Sequence, residues 1–192
     1  MSKLIADTVE TNAGAKANFR EVGNTYDYLG VAPAAPNIQL DTFPTWCNRI
    51  EVKFDNLGST NTNEVAWFTF GNDSGAINPF GPNVNSVCTT WQSTAGTGGQ
   101  RNNNIIVVYV AGAVIYNTGT MFAERIYPGQ DIWRCYGNGI YKVTTPDGVT
   151  GNWETETYQV DLSASAPTKF GITRQGATVP IYGKWTTYYH EY

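Results

Sequence analysis

Residues 49–75 read RIEVKFDNLGSTNTNEVAWFTFGNDSG, and their pattern decides the fold. Ile50, Val52 and Phe54 alternate with Arg49, Glu51, Lys53 and Asp55. A period of two separates an apolar set from a charged set, the sign of a strand with one dry and one wet side. Gly58-Ser59-Thr60-Asn61-Thr62-Asn63 comes next and is too polar to pack inside. Residues 65–70, VAWFTF, are apolar at nearly every position, as in a strand covered on both faces or one whose outer face meets another surface. Gly71-Asn72-Asp73-Ser74-Gly75 then supplies residues that tolerate left-handed backbone. The unit reads as an antiparallel pair at the heart of a β-sandwich.

Upstream, residues 1–36 are rich in Ala, Asn, Gly and Pro and show no sustained period. Thr11-Asn12-Ala13-Gly14 breaks any helix begun at Leu4. The plain reading is a poorly ordered terminus. The functional one is an extended N-terminal arm that docks on a neighbouring subunit, with Leu4, Ile5, Val9 and Phe19 as anchors. Residues 31–36, VAPAAP, form a stiff connector.

Downstream, residues 37–192 read as a single β-sandwich domain. Strands are expected at residues 87–92 and 105–110, the second uniformly apolar and so buried on both sides. Further strands are expected at 121–127, 131–136 and 140–145, separated by Pro128-Gly129 and Gly137-Asn138-Gly139. Residues 153–162, 168–174 and 181–189 complete the set. About ten strands with frequent turns and almost no helix signal predict an all-β fold: a two-sheet antiparallel β-sandwich, jelly-roll-like.

Composition agrees with that class. The chain has 192 residues, enough to bury roughly 70% of its unfolded surface in one core. Only 15% of residues are charged, and 14% are aromatic. The formal net charge is −4, with no basic patch, so no nucleic-acid partner is expected. No apolar run approaches a membrane span, and Lys3 is followed by only two strongly apolar residues before Asp7, so neither membrane insertion nor a secretory leader is expected. Cys47, Cys88 and Cys135 are far apart and odd in number, and read as buried thiols rather than disulfides or a metal site.

No catalytic constellation emerges. The single histidine, His190, reads as a surface or subunit-contact residue. Glycosidases need two carboxyl groups facing one bond, and the pairs to test are Asp131 with Glu124 and Glu154 with Glu156. Their ordinary reading is solvated strand residues. Asn72-Asp73-Ser74 offers oxygens for Ca²⁺, although an Asp bonding its own backbone in a turn is the commoner explanation. No catalytic residue, metal ligand or cofactor is therefore assigned. The better lead is aromatic. Sugar C–H faces stack on flat rings while amides take hydroxyls, which singles out Trp91 with Gln92, and Trp133 and Tyr136 near Asn138, as candidate glycan contacts. The ordinary reading of each ring is core or subunit interface.

The motif R-I-x-V-x-F-x-N-L of residues 49–57, followed by a Ser/Thr/Asn loop and F-G-N-D-S-G at 70–75, resembles a segment of β-sandwich modules in bacteriophage tail-fibre proteins. Residues 170–176, FGITRQG, with Gly183 and a closing aromatic strand, are similar to the last hairpin of that family, and residues 2–9, SKLIADTV, to the leader of many virion proteins. These segments cover about a quarter of the chain. The resemblance implies a non-enzymatic virion structural protein that self-associates, expected as a trimer, and docks on other virion proteins through its arm. It would be assembled in host cytoplasm and exposed on the released particle. Loops 58–63, 76–86 and 95–104 are expected to face outward toward host surface polysaccharide. Tail fibre, tail adaptor and capsid decoration protein all stay open, as do a soluble carbohydrate-binding module and a polysaccharide depolymerase.

Overall fold

The computed structural model describes residues 20–29, 38–59, 66–77, 88–92, 99–100, 105–106, 115–143, 150–157, 160–174 and 181–191. No helix occurs among them. The strands are β1 (Arg20–Asp27), β2 (Ile38–Thr42), β3 (Arg49–Ser59), β4 (Ala66–Asn72), β5 (Gly75–Ile77), β6 (Cys88–Gln92) and β7 (Gly99–Gln100). They continue with β8 (Ile105–Ile106), β9 (Ile115–Arg125), β10 (Ile132–Val143), β11 (Thr150–Thr157), β12 (Val160–Asp161), β13 (Lys169–Arg174) and β14 (Ile181–His190).

They form two antiparallel sheets. The larger, nine-stranded, runs β1-β14-β3-β9-β10-β11-β6-β7, with β12 also pairing β10. The smaller, five-stranded, runs β2-β13-β4-β5, with β8 pairing β4. Strands β1 to β4 alternate between the sheets, and the pairs β1 with β14, β2 with β13 and β3 with β9 nest inside one another. This is the order of a jelly roll, in which a long antiparallel ribbon is rolled into two layers. The expected all-β sandwich is present.

Its central unit differs from the expected hairpin. β3 pairs β14 and β9 in the large sheet, whereas β4 pairs β13, β5 and β8 in the small one. They face each other across the core, where Phe54 meets Phe68 at 5.4 Å between ring centroids. Both strands are apolar toward the interior, and apolarity alone does not distinguish a neighbour in the sheet from a neighbour across it. β3 also runs past Asp55, where its alternation stops. A bulge shifts its register against β9 between Phe54 and Leu57, with Asn56 at φ 51°. The extra residue resets the phase, so Leu57 is fully buried again. Thr118 Oγ1 accepts from the Asn56 amide at 3.0 Å and donates to Asp55 at 2.8 Å. On the other side Gly183, at φ 133°, lets β14 pass with room for no side chain: an added Cβ would lie 2.8 Å from Leu57 Cα.

Two further boundaries move. Residues 20–27 belong to the sheet rather than to an arm ending at residue 36, because β1 pairs β14 from Arg20↔His190 to Asp27↔Lys184. A shift between Val22 and Thr25 and exposure as an edge strand erase its period in the sequence. The expected turn Gly137-Asn138-Gly139 is instead the middle of β10. There Gly139 opposes Gly119, and a Cβ at Gly139 would sit 2.0 Å from the Thr118 carbonyl oxygen. The glycines mark close backbone approach, not a reversal. Phe54 and Trp153 flank this glycine pair in register and stack at 5.8 Å.

The core between the sheets is a continuous run of rings. From Trp153 and Phe54 it passes through Phe68, Phe170, Phe70, Trp133 and Phe43, with centroid separations of 4.8 to 6.1 Å. Ile50, Val52, Met121, Ala123 and Ile172 fill the spaces between them. At the edge where β1 and β2 part into different sheets, a polar clasp closes the sandwich. Tyr26 OH, Asn24 and Gln39 all donate to one oxygen of Asp41, which is buried. Burial and this bond to Asp41 push the Tyr26 phenol up from its ordinary value.

Candidate functional site

The outer face of the large sheet carries the most organised chemistry among the described residues. Alternation along each strand sends every second side chain there. Successive strands place Val22, Tyr188, Glu51, Phe122 and Tyr136 in one row. The adjacent row is Arg20, His190, Arg49, Glu124 and Arg134. A third holds Thr186, Lys53, Thr120, Asn138 and Glu154, with Trp91 next in register.

Within these rows cations lie over rings. Arg20 sits 4.3 Å and Lys53 5.3 Å from the centre of the Tyr188 ring. Arg49 lies 4.4 Å from the centre of Phe122, and Phe122 stacks on Tyr136 at 5.1 Å. Arg134 covers Tyr136 at 5.3 Å, and Tyr136 OH donates to Glu124 at 3.2 Å. Each cation over a ring contributes about 0.5–1 kcal/mol at such half-open positions. Burial raises the Tyr136 phenol, with Arg49 opposing and Glu124 reinforcing.

Glu51 is the electrostatic hub. Its side chain is 12% exposed and takes Lys53 at 3.4 Å, Arg20 at 3.9 Å and His190 Nε2 at 3.0 Å. His190 is therefore a half-buried partner of Glu51, not a free surface residue. Burial lowers its basicity, and Glu51 only partly restores it. Arg49 differs from its neighbours. It has no carboxylate partner among the described residues, and its Nε is buried without a hydrogen bond.

The predicted glycan contacts separate. Tyr136 and Asn138 lie on this outer face, in adjacent rows. Trp91 is the Cα partner of Glu154 and so falls in the row of Asn138; Gln92 is the partner of Trp153; their side chains lie outside the described residues. Trp133 must be corrected. It is fully buried, wedged between Phe43 and Phe70 with Arg125 at 4.9 Å, and cannot touch a sugar. Three residues from Tyr136, it sits on the opposite face because a strand reverses sides at every step. Leu4, Ile5, Val9 and Phe19 lie outside the described residues, as do most of the three expected loops.

The other candidates resolve into structural roles. Asp131 pairs with Arg125 at 3.2 Å while Glu124 takes Tyr136, so these acids do not converge on one bond. Glu154 faces Asn138 across the sheet, and Glu156 is described only by its backbone. In the 72–75 turn the Asn72 side chain accepts from the Ser74 amide at 2.9 Å, and Asp73 pairs with Lys169 at 3.0 Å. No group of three His, Cys, Asp or Glu residues able to hold a metal occurs among the described residues. Cys47 and Cys135 are buried; burial pushes the Cys47 thiol up to about 11, and it donates to the Arg49 carbonyl at 3.2 Å.

Phe122, Tyr188 and Arg49 were not singled out in the sequence. The signal was there in part, since Arg49, Glu51 and Lys53 share the wet face of β3. What the sequence lacks is the register that sets them beside rings on β9 and β14. Comparison with known proteins adds no relative: no family model, no curated protein and no solved structure matches the chain.

Proposed function

We propose that the chain is a non-enzymatic structural protein of a bacteriophage particle, of the tail-fibre kind. In this reading it assembles with copies of itself, docks on the particle through its N-terminal arm and turns the outer face of its large sheet toward host glycans. The observation that carries the reading is that face, where cations and rings interlock across five strands without closing around a reaction centre. Jelly rolls recur in viral capsid proteins and in lectins, so the fold suits both particle and glycan roles without choosing between them. The tail-fibre-like segments at 49–57, 70–75 and 170–176 favour the particle. The engagement of Asp131 by Arg125 and of Glu124 by Tyr136 favours binding over hydrolysis.

Mass spectrometry of particles purified from the source culture tests the reading. The chain should appear at a fixed copy number that is a multiple of three, and sedimentation of the purified protein should give a trimer. A monomer absent from particles that binds sugar by itself would make it a soluble carbohydrate-binding module. Release of reducing ends from host polysaccharide, lost in Asp131→Asn, would make it a depolymerase.

A further inference from the structure

We infer that the outer face of the large sheet binds an acidic polysaccharide through its carboxylates, with Arg49 as the central contact. This rests on the glycan-facing reading above and narrows it to a polymer bearing uronate groups.

The first ground is uncompensated charge. Arg20 and Lys53 share the one carboxylate of Glu51, and Arg49 has none among the described residues. Three cations to one carboxylate make the corner around Glu51 locally positive on a chain whose formal net charge is −4, whereas the row of Asp27, Lys184 and Asp55 beyond it sets one cation between two carboxylates. Glu124 is the register partner of Arg49 but is taken by Tyr136, and Glu154 and, in register, Glu156 lie farther out on β11, with Arg134 and Lys142 on the intervening β10, so the most positive part of the face is the corner of Arg20, Arg49 and Lys53. An anion is drawn to that corner.

The second ground is preorganisation. Arg49 lies on Phe122, which is itself stacked on Tyr136, and its buried Nε is held away from water. A guanidinium fixed in one plane loses little freedom when it grips a carboxylate with its two outer nitrogens. Arg20 and Lys53 are about half exposed above Tyr188, so their charged heads form the outermost layer.

The third ground is shape. The face is a sheet surface, and an extended chain can lie along it. Strands are about 4.8 Å apart, which sets Arg20 on β1 and Arg49 on β3 roughly 10 Å apart across β14. That spacing suits charges on alternate units of an extended polymer better than two charges of a single sugar. Many weak contacts repeated along a polymer and across subunits then add up to firm attachment.

The test is binding of the full chain to polygalacturonate, dextran and polyglutamate, by calorimetry at about 50 mM and 300 mM salt. Polygalacturonate should bind at low salt and weaken severalfold at high salt, while dextran should not bind. Arg49→Gln should weaken binding at least tenfold, Arg49→Lys less, and Arg20→Gln two- to threefold. Lys169→Gln, whose lysine pairs with Asp73 at the small sheet, should bind as the parent does. Should Arg49→Gln fail to fold, Arg49→Lys and Arg20→Gln carry the comparison, with folding checked by far-ultraviolet dichroism. Polygalacturonate binding unchanged by these variants overturns the inference, and so does polyglutamate binding of equal strength, which would indicate an acidic protein partner. Dextran binding without polygalacturonate binding overturns it too, yet leaves the glycan-facing reading standing. Binding to no glycan, with particle association intact, removes both the inference and the glycan role.

Discussion

The two faces of the nine-stranded sheet are made from alternate residues of the same strands, yet they solve different problems. Inward, Trp133 meets Phe43 and Phe70, and Trp153 meets Phe54, rings against rings at full burial. Outward, Tyr136 meets Phe122 and Arg134, and Tyr188 meets Arg20 and Lys53, rings under cations at partial exposure. The inner face removes apolar area from water and so drives folding. The outer face keeps its rings beside charge, where a second surface can reach them. An aromatic residue in this chain therefore has two distinct uses, decided by which side of the strand it occupies.

The sharpest way to break that contrast is to cut one ring from each face. Trp133→Ala should cost about 3–5 kcal/mol in urea unfolding, because a large void opens in a closed core. Tyr136→Ala should cost only about 1 kcal/mol, from one ring pair and one hydrogen bond. Equal losses would mean that the outer layer is as structural as the core.

Next comes the glycine pair beneath Trp153. Gly139→Ala must force β9 and β10 apart, since its new Cβ would meet the Thr118 carbonyl and Gly119 Cα. A loss of about 1–3 kcal/mol is expected. The outward neighbour Asn138→Ala should change stability by no more than about 0.5 kcal/mol. The same unfolding measurement decides both.

The clasp between the sheets gives a third comparison. Asp41→Ala removes the shared acceptor of Tyr26 and Asn24, leaving Gln39 its 2.8 Å bond to the Tyr26 hydroxyl, and should cost about 1–3 kcal/mol. Asp73→Ala, which frees only Lys169 at an exposed turn, should cost less than about 1 kcal/mol.

The smallest effects are in pH. The Cys47 thiol, and the Tyr26 and Tyr189 phenols with it, hold their protons more tightly when folded, chiefly through burial. Their contribution to stability is intact below about pH 9 and is lost as pH rises toward the folded Cys47 value of about 11. On the outer face the sign reverses. His190 is held neutral by burial, so its contribution is present above its ordinary value and is lost as pH falls below about 6.5. Proton resonance titration of the single histidine should give a midpoint under that value. Glu51→Gln should lower it further, because Glu51 favours the charged ring. An upward shift in that variant would show that Glu51 is not what His190 feels.

Much of the fold was legible along the chain. The alternation of Ile50, Val52 and Phe54, the Pro128-Gly129 break and the closing 181–189 strand all appear where the sequence places them. Other features were not. β1 was hidden because an edge strand with a bulge has no clean period. Gly137-Asn138-Gly139 looked like a turn because glycine for close approach and glycine for reversal have the same letter. Of the candidate glycan contacts, Tyr136 and Asn138 reached the outer face and Trp133 did not.

By itself the sequence determined that the chain is all-β, where its main strands run and which side of β3 is wet. Those are properties of neighbours along the backbone, and a period of two writes them directly into the residue order. Only the tertiary structure decided that β3 and β4 belong to different sheets, that Trp133 lies inside while Tyr136 lies outside, and that Arg49 rests on Phe122 with no carboxylate partner among the described residues. Those facts depend on register between strands far apart in the chain. Such registers come from bulges, glycine approaches and the fit of rings across the core, which local pattern does not contain.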